Sequence, residues 1–212
     1  MTRHLLDIDD LSAPELAAIF DLAEDDYPPR VLAGRGVALV FQKPSARTRS
    51  SSEVAVFQLG GHPVAIRGDE VGIDTRESAE DVARTLAQYH SAIGARVLDH
   101  GVLERMAAVS PVPVINLLSD RAHPLQAIAD LLTLRSAWGG ELEGRRLAWV
   151  GDGNNVARSL ALACALSGVK VTVASPPGHR LDDITADPRH FMAKPFTPDQ
   201  LLEKVRSVLR PA

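Results

Sequence analysis

The sequence predicts an α/β fold: a doubly wound, mainly parallel sheet in a first domain, followed by a second Rossmann-like α/β unit. Short apolar runs bounded by glycine or proline alternate along the chain with amphipathic stretches of helical period. Strands that alternate with helices favour parallel pairing, and such sheets bind ligands at the carboxyl ends of their strands. The 212 residues, 45% of them hydrophobic, can fill one large core or two small ones. We expect domains over residues 1–137 and 145–212, joined by a glycine-bearing linker.

The composition argues against several classes of partner. A formal net charge of −4 gives no basic footprint for nucleic acid or for an anionic membrane surface. No stretch approaches the roughly 18 apolar residues of a membrane span, and the N-terminus lacks the apolar region of a signal peptide. We therefore expect a cytoplasmic protein without nucleic-acid or membrane partners. The single cysteine, Cys164, has apolar neighbours and is expected to be an inert buried thiol.

The first helix is expected to begin at the capping box Ser12-x-x-Glu15 and to serve as scaffold. The apolar run from Val37 to Phe41 predicts a buried strand, and His62 to Arg67 predicts a second one. The polar residues from Gly68 to Arg76 are typical of a turn-rich surface loop or of a mobile lid.

The segment Ser45-Ala46-Arg47-Thr48-Arg49 follows the first strand and opens a helix. A helix N-terminus presents unpaired backbone N–H groups and the positive end of the helix dipole, so it suits an anion. Two arginines two residues apart add planar donor forks that match phosphate oxygens. Taken alone, the segment is equally compatible with a serine N-cap and a solvated basic turn.

Arg96 follows a helix that we expect to begin at Ser78 and to end at Gly94, with Tyr89 and Ile93 on its apolar face. In this interpretation Arg96 stands just before Val97 and Leu98, at the end of a short strand. An arginine in that place is either exposed to solvent at the edge of the sheet or binds a ligand in the crevice beyond the ends of the strands.

The segment His123-Pro124-Leu125-Gln126 starts another helix, after a buried strand within Pro111 to Leu118. Its spacing puts His123 and Gln126 one turn apart on the same face, where both could address one small ligand. A histidine at a helix start is otherwise most often a cap.

The second unit begins with a strand from Leu147 to Val150, turns at Gly151-Asp152-Gly153, and enters a helix at Asn154-Asn155. A Gly-x-Gly after a strand suggests a dinucleotide site, but the third glycine of that fingerprint is replaced by Val156. We therefore expect no NAD. A further strand is predicted from Lys170 to Ala174.

Three of these stretches resemble motifs of the aspartate and ornithine carbamoyltransferases, in the same order along the chain. They are FQKPSARTR from Phe41, HPLQAIADLL from His123 and VGDGNNVARSL from Val150. The Gly-Asp-Gly-Asn-Asn run is similar to the ornithine branch, and we expect the likeness to extend from about Thr2 to about Pro177.

The resemblance implies a carbamoyl-phosphate domain whose phosphate ligands are Ser45, the backbone at Ala46, Arg47, Thr48 and Arg49. Arg96, His123 and the Thr48 hydroxyl would stabilise the oxyanion, Gln126 would orient the carbamoyl NH₂, and Asn155 would contact ornithine. The family has threonine where this chain has Ala46, which keeps the backbone N–H. The implied partners are carbamoyl phosphate, ornithine and further copies of the chain in a trimer, with no cofactor and no metal.

The family's Asp-x-x-x-Ser-Met and His-Cys-Leu-Pro motifs, which hold the amino acid, do not occur in the 212 residues. The second domain is therefore expected to be truncated and the activity impaired. The stretch from Phe191, FMAKPFTPDQLLEKVRSVL, resembles the end of a response-regulator receiver domain, with Lys194 in its Lys-Pro turn, but no phosphoacceptor segment precedes it. Two functions stay open: transfer of the carbamoyl group to the δ-amine of ornithine, giving citrulline and phosphate, or a non-catalytic carbamoyl-phosphate-binding or regulatory role.

Overall fold

The computed structural model describes residues 2–176 and 179–181 of the chain. They belong to two compact units, Met1–Leu11 with Ala18–Leu125, and Ser12–Ala17 with Gln126–Ala212. In chain order the helices and strands are α1 (Ala13–Ala23), β1 (Gly36–Phe41), α2 (Ala46–Gln58), β2 (His62–Arg67), α3 (Gly68–Val71), α4 (Ala79–Leu86), β3 (Ala92–Arg96), α5 (His100–Val109), β4 (Val114–Leu118), α6 (Pro124–Ala137), β5 (Arg146–Val150), α7 (Asn155–Leu166) and β6 (Lys170–Ala174).

The first unit is built on a four-stranded sheet in the order β2-β1-β3-β4, with every neighbouring pair parallel. The predicted α/β fold with a parallel sheet is confirmed. Chain progression reverses direction between β1 and β3, so the carboxyl ends of these two strands border the crevice where ligands of such sheets bind. The segment that opens α2 and the residue Arg96 both lie at this edge.

The central strand β1 is buried on both faces. Ala38 and Val40 belong to one core cluster, whereas Val37, Leu39 and Phe41 belong to the cluster on the other face. A strand in this position needs apolar side chains at every residue, which is why it is an unbroken apolar run in the sequence.

The predicted end of the helix after Ser78 is wrong. Ser78 caps α4 as expected, its hydroxyl accepting from the Asp81 N–H, but the helix ends at Leu86, and Ile93 and Gly94 lie in β3. Tyr89 is 77% exposed. Gly94 does not terminate a helix; a Cβ at this position would lie 3.1 Å from a Leu39 methyl, so the glycine permits close packing within the sheet.

The second unit contains the parallel pair β5-β6 and helix α7. Asn154 caps α7 by accepting the N–H groups of Val156 and Ala157. The loop before it depends on Gly153, since a Cβ there would meet the backbone of residues 179–181 at 2.6–3.0 Å. This glycine therefore accommodates the chain's own backbone.

The receiver-like stretch that begins at Phe191, with Lys194, lies outside the described residues. Among the helices that the structure describes, none has both the length and the apolar character needed to cross a membrane.

Candidate active site

The N-terminus of α2 is capped by Ser45, whose extended backbone precedes the helix. The Ser45 Oγ accepts the Thr48 N–H at 3.3 Å and donates to the Thr48 Oγ1 at 3.0 Å. Helix geometry leaves the N–H groups of Ala46 and Arg47 without an intrahelical acceptor, and they carry the positive end of the helix dipole. The predicted helix start is confirmed, and it has the features of an anion site.

Arg96 ends β3 where the pairing with β4 shifts register between Ala95 and Arg96. Such an irregularity changes the direction of a side chain. The Arg96 Nη1 donates to the Thr48 Oγ1 at 3.3 Å, which brings together two residues 48 positions apart. The Arg96 Nε is buried and has no hydrogen-bond partner among residues 2–176 and 179–181. Burial lowers the pKa of Arg96, yet a guanidinium stays protonated, so the charge is retained.

The Thr48 hydroxyl is oriented by these two donors. Its oxygen accepts from Ser45 and from Arg96, which fills both lone pairs. The hydroxyl proton is therefore the group that remains available to a ligand, so Thr48 presents a donor at this edge of the sheet.

His123 stands immediately before α6 and lies within the electrostatic reach of Arg96. Burial, with a further contribution from the Arg96 charge, lowers the pKa of His123 from 6.5 to about 4. The imidazole is accordingly neutral near pH 7 and can donate one N–H without carrying charge. Arg96 therefore links the other two residues: it donates a hydrogen bond to Thr48, and its charge acts on His123.

Other predicted site residues make different contacts. Arg47 is exposed and makes no ion pair with a described residue, whereas the Arg49 Nε is 2.8 Å from the Glu53 Oε1. The Gln126 amide nitrogen donates to the Asp130 Oδ1 at 2.8 Å, within α6. In the second unit, the Asn155 Oδ1 accepts the Val156 N–H at 3.0 Å.

A cavity of about 730 Å³ adjoins the same helix N-terminus on its β2 side. Its lining includes Ser45, Ala46 and Arg49, together with Arg67 and Asp69 of the following segment, but not Arg96 or His123. Arg67 and Asp69 form an exposed ion pair, so this cavity carries both signs of charge. The cluster of donors lies beside the cavity.

The motif positions in the sequence did not indicate the polar residues that hold the turn before His123. Asn116 and Ser119 are fully buried and His100 is 7% exposed, and hydrogen bonds connect the three. Asn116 could have indicated them, because it is a single polar residue within the apolar run of β4, and a buried polar side chain needs hydrogen-bond partners. Within the described part of the chain, no group of three or more histidine, cysteine or acidic side chains is arranged to hold a metal ion.

Two sequence models of one family match the chain. The model described as "Aspartate/ornithine carbamoyltransferase, carbamoyl-P binding domain" matches residues 3–136. The model described as "Aspartate/ornithine carbamoyltransferase, Asp/Orn binding domain" matches residues 143–197. The predicted end of the likeness at about Pro177 is therefore wrong, because the second match reaches residue 197. It covers the first part of the stretch from Phe191, and the comparisons give no support to the resemblance of that stretch to a receiver domain.

Individual relatives agree with the family models. The chain is 48% identical over 186 residues to the ornithine carbamoyltransferase of Thermus thermophilus, covering 86% of this chain and 62% of the relative. Over 181 residues it is 42% identical to that of Methanocaldococcus jannaschii, covering 83% of this chain and 59% of the relative. The chain thus spans about three fifths of the length of these relatives.

Solved structures give the same result for the fold. The crystal structure of ornithine carbamoyltransferase from Thermus thermophilus superposes with a TM-score of 0.81 at 41% identity, covering 100% of this chain and 79% of that one. The enzyme from Pyrococcus furiosus gives a TM-score of 0.82 at 35% identity, covering 99% and 78%. With two matching family models and relatives at this level of identity, the chain belongs to the aspartate/ornithine carbamoyltransferase family.

Proposed function

We propose that the first unit of this chain binds carbamoyl phosphate, and that the site carries out transfer of the carbamoyl group to the δ-amine of ornithine, giving citrulline and phosphate. The observation that carries the proposal is the Arg96–Thr48 hydrogen bond, which joins the end of β3 to the anion-binding end of α2. On this proposal residues 1–137 form the carbamoyl-phosphate domain and residues 145–212 the amino-acid-binding domain, an assignment supported by the ranges that the two family models match.

The phosphate end would lie at the N-terminus of α2. The N–H groups there and the guanidiniums of Arg47 and Arg49 supply hydrogen bonds and positive charge. The Ser45 hydroxyl would join them by turning its proton from the Thr48 Oγ1 to a phosphate oxygen. Because Arg49 already pairs with Glu53, we assign the larger share of the phosphate contact to Arg47.

The carbonyl end would face Thr48, Arg96 and His123. Attack of the amine nitrogen on the carbonyl carbon gives a tetrahedral oxyanion, and the loss of one donor to such an oxyanion costs about 3–4 kcal/mol. Neutral His123 suits this role as an N–H donor, since its pKa of about 4 makes it a poor source of protons near pH 7. When the C–O bond breaks, the departing phosphate takes the amine proton, so no side chain has to act as base.

Gln126 would orient the carbamoyl NH₂ by accepting from it. The amide nitrogen of Gln126 donates to Asp130, which leaves the amide oxygen as the group for this contact. Gln126 then serves as an acceptor in the site, and its own N–H groups are not required there.

Few residues of the chain are recognisable as binding residues for ornithine, the acceptor of the carbamoyl group. Asn155 is the residue assigned to ornithine, and the 212 residues contain neither Asp-x-x-x-Ser-Met nor His-Cys-Leu-Pro. Weak binding of the acceptor forfeits part of the roughly 7–11 kcal/mol that proximity can contribute. We therefore propose that turnover by these 212 residues is low, while carbamoyl-phosphate binding is retained.

A second candidate function for these 212 residues, which contain neither amino-acid motif, is carbamoyl-phosphate binding or a regulatory role without turnover. A titration with carbamoyl phosphate and an assay for citrulline, on the same preparation, separate the two. Binding with weak, ornithine-dependent citrulline formation supports the transferase. Binding of carbamoyl phosphate without citrulline formation supports the second candidate. Robust turnover that saturates with ornithine would contradict the proposed weakness of ornithine binding. Failure to bind would contradict both.

Self-association, as a trimer by family resemblance, forms part of the proposal. It is supported by two apolar residues one turn apart on α2, Val54 and Phe57, which are 52% and 74% exposed. We expect the chain to sediment as an oligomer at micromolar concentration, and Phe57→Ser to weaken the assembly. A monomer at that concentration would count against it.

A further inference from the structure

The turn between β4 and α6 is fixed by hydrogen bonds from one buried hydroxyl and one buried amide. The backbone N–H of Ser119 donates to the Ala122 carbonyl at 3.0 Å, and the Ala122 N–H donates to the Ser119 Oγ at 3.1 Å. The Asn116 amide nitrogen also reaches the Ala122 carbonyl, at 3.3 Å. This carbonyl belongs to the peptide that joins Ala122 to His123, so the turn fixes the backbone from which the imidazole of His123 projects.

His100 completes this arrangement from the first residue of α5. Its Nδ1 is 2.7 Å from the Ser119 Oγ. Its backbone N–H donates to the Asp120 Oδ1 at 2.9 Å, in the same turn. Both the ring and the backbone of His100 therefore bind the segment that precedes His123.

The hydrogen bond between His100 and Ser119 forms with either ring tautomer. The Ser119 oxygen accepts the Ala122 N–H, and its own proton has two acceptors within reach, the His100 Nδ1 at 2.7 Å and the Ala122 carbonyl at 3.3 Å. The donor in the Nδ1–Oγ contact is set by the tautomer of His100.

We propose that His100 is a positioning residue for carbamoyl transfer: through the hydrogen bond between its Nδ1 and the Ser119 Oγ, it holds the Ala122–His123 peptide and sets the direction in which His123 meets the carbonyl. The inference rests on the proposed role of His123. His100 does not touch the substrate and acts only through the turn.

A matched pair of substitutions tests the contact. In His100→Asn the side-chain amide takes the place of Nδ1 and offers Ser119 either an acceptor or a donor, so the hydrogen bond is kept. In His100→Gln the amide extends toward the position of Nε2, and the hydrogen bond to Ser119 is lost. Ser119→Ala removes the same hydrogen bond from the other partner. The control is His90→Gln, which changes a half-buried histidine at the amino ends of the strands, away from the turn.

The first readout is the NMR titration of the His123 imidazole without ligand, with the resonance assigned by His123→Gln. In the parent chain His123 should titrate at about 4. We expect its titration midpoint to rise by about one pH unit in His100→Gln and in Ser119→Ala, because a loosened turn admits water to the ring. It should stay at the parent value in His100→Asn and His90→Gln. An unchanged His123 midpoint in both disrupting variants would overturn the proposal.

The second readout is affinity for carbamoyl phosphate relative to inorganic phosphate. Loss of a neutral hydrogen bond in His100→Gln should lower this ratio by about 2- to 12-fold, with phosphate affinity unchanged and the ratio restored in His100→Asn. A fall in phosphate affinity of the same size would contradict the inference. If the parent chain binds neither ligand, the proposed function fails, while the ligand-free titration still decides whether His100 positions His123.

Discussion

Arg47→Ala should remove most of the stabilisation that carbamoyl phosphate gives to the fold. Arg47 is exposed at the first turn of α2 and is not paired with any described acidic side chain, so its full charge is available to a phosphate. A charge-assisted hydrogen bond contributes about 1.5–3 kcal/mol, which corresponds to a Kd weakened about 10- to 150-fold.

The size of the effect can be followed by thermal unfolding. Ligand at about 100 times Kd stabilises a folded chain by about 2.7 kcal/mol, or about 5–10 °C for a chain of this length. If Arg47→Ala weakens binding about 100-fold, the same ligand concentration gives only about 0.4 kcal/mol, a shift of about 1 °C.

Arg49→Ala is the matched control, with the same substitution two residues along the helix. Arg49 has to leave Glu53 before it can bind a phosphate, and an exposed i,i+4 pair is worth about 0.3–0.5 kcal/mol. We therefore expect Arg49→Ala to retain more of the thermal protection than Arg47→Ala. Equal thermal shifts in Arg47→Ala and the parent chain would refute the assignment of the anion site to this helix.

Two further predictions concern the neighbouring structure. The pKa of His123 is lower in the folded chain, at about 4, than the ordinary 6.5, so the unfolded chain takes up the proton first as the pH falls. The free energy of unfolding, measured by urea unfolding, should therefore decrease between pH 6.5 and 4 by about 1–2 kcal/mol more in the parent than in His123→Gln, a figure that allows for the partial exposure of the ring. An equal decrease in the two chains would contradict this. Gly94→Ala should cost about 1–3 kcal/mol in the same assay, because the added methyl meets Leu39 and Leu117 at 3.1–3.3 Å, and an unchanged midpoint would argue against this packing.

The sequence predicted the strands and helix starts whose signals are local. The apolar run of β1, the Ser45 cap and Pro124 at the first position of α6 each act through neighbouring residues, and each prediction is confirmed. The end of α4 could not be predicted in this way. Ile93 and Gly94 fit a helical period, but their burial between β1 and β4 makes them strand residues, and that burial depends on distant parts of the chain.

The candidate site divides along the same line. Residue types at motif positions indicated Thr48, Arg96 and His123, whereas the contacts that orient them are not local. The Arg96–Thr48 hydrogen bond depends on the pairing of β1 with β3, and the His100–Ser119 contact depends on how α5 packs beside β4. Arg49 and Gln126 show the converse, since acidic residues one turn away, Glu53 and Asp130, engage them in ways that motif positions do not reveal.

The central claim is that one site distinguishes the two ends of carbamoyl phosphate, with phosphate at α2 and the carbamoyl group at Arg96. Calorimetric titration of the parent and of Arg96→Met with carbamoyl phosphate and with inorganic phosphate tests it most directly. We predict that Arg96→Met binds phosphate as the parent does and loses the preference for carbamoyl phosphate, because methionine keeps the apolar stem of the side chain without its donors. An undiminished preference for carbamoyl phosphate in Arg96→Met, or an equal loss of affinity for both ligands, would contradict it.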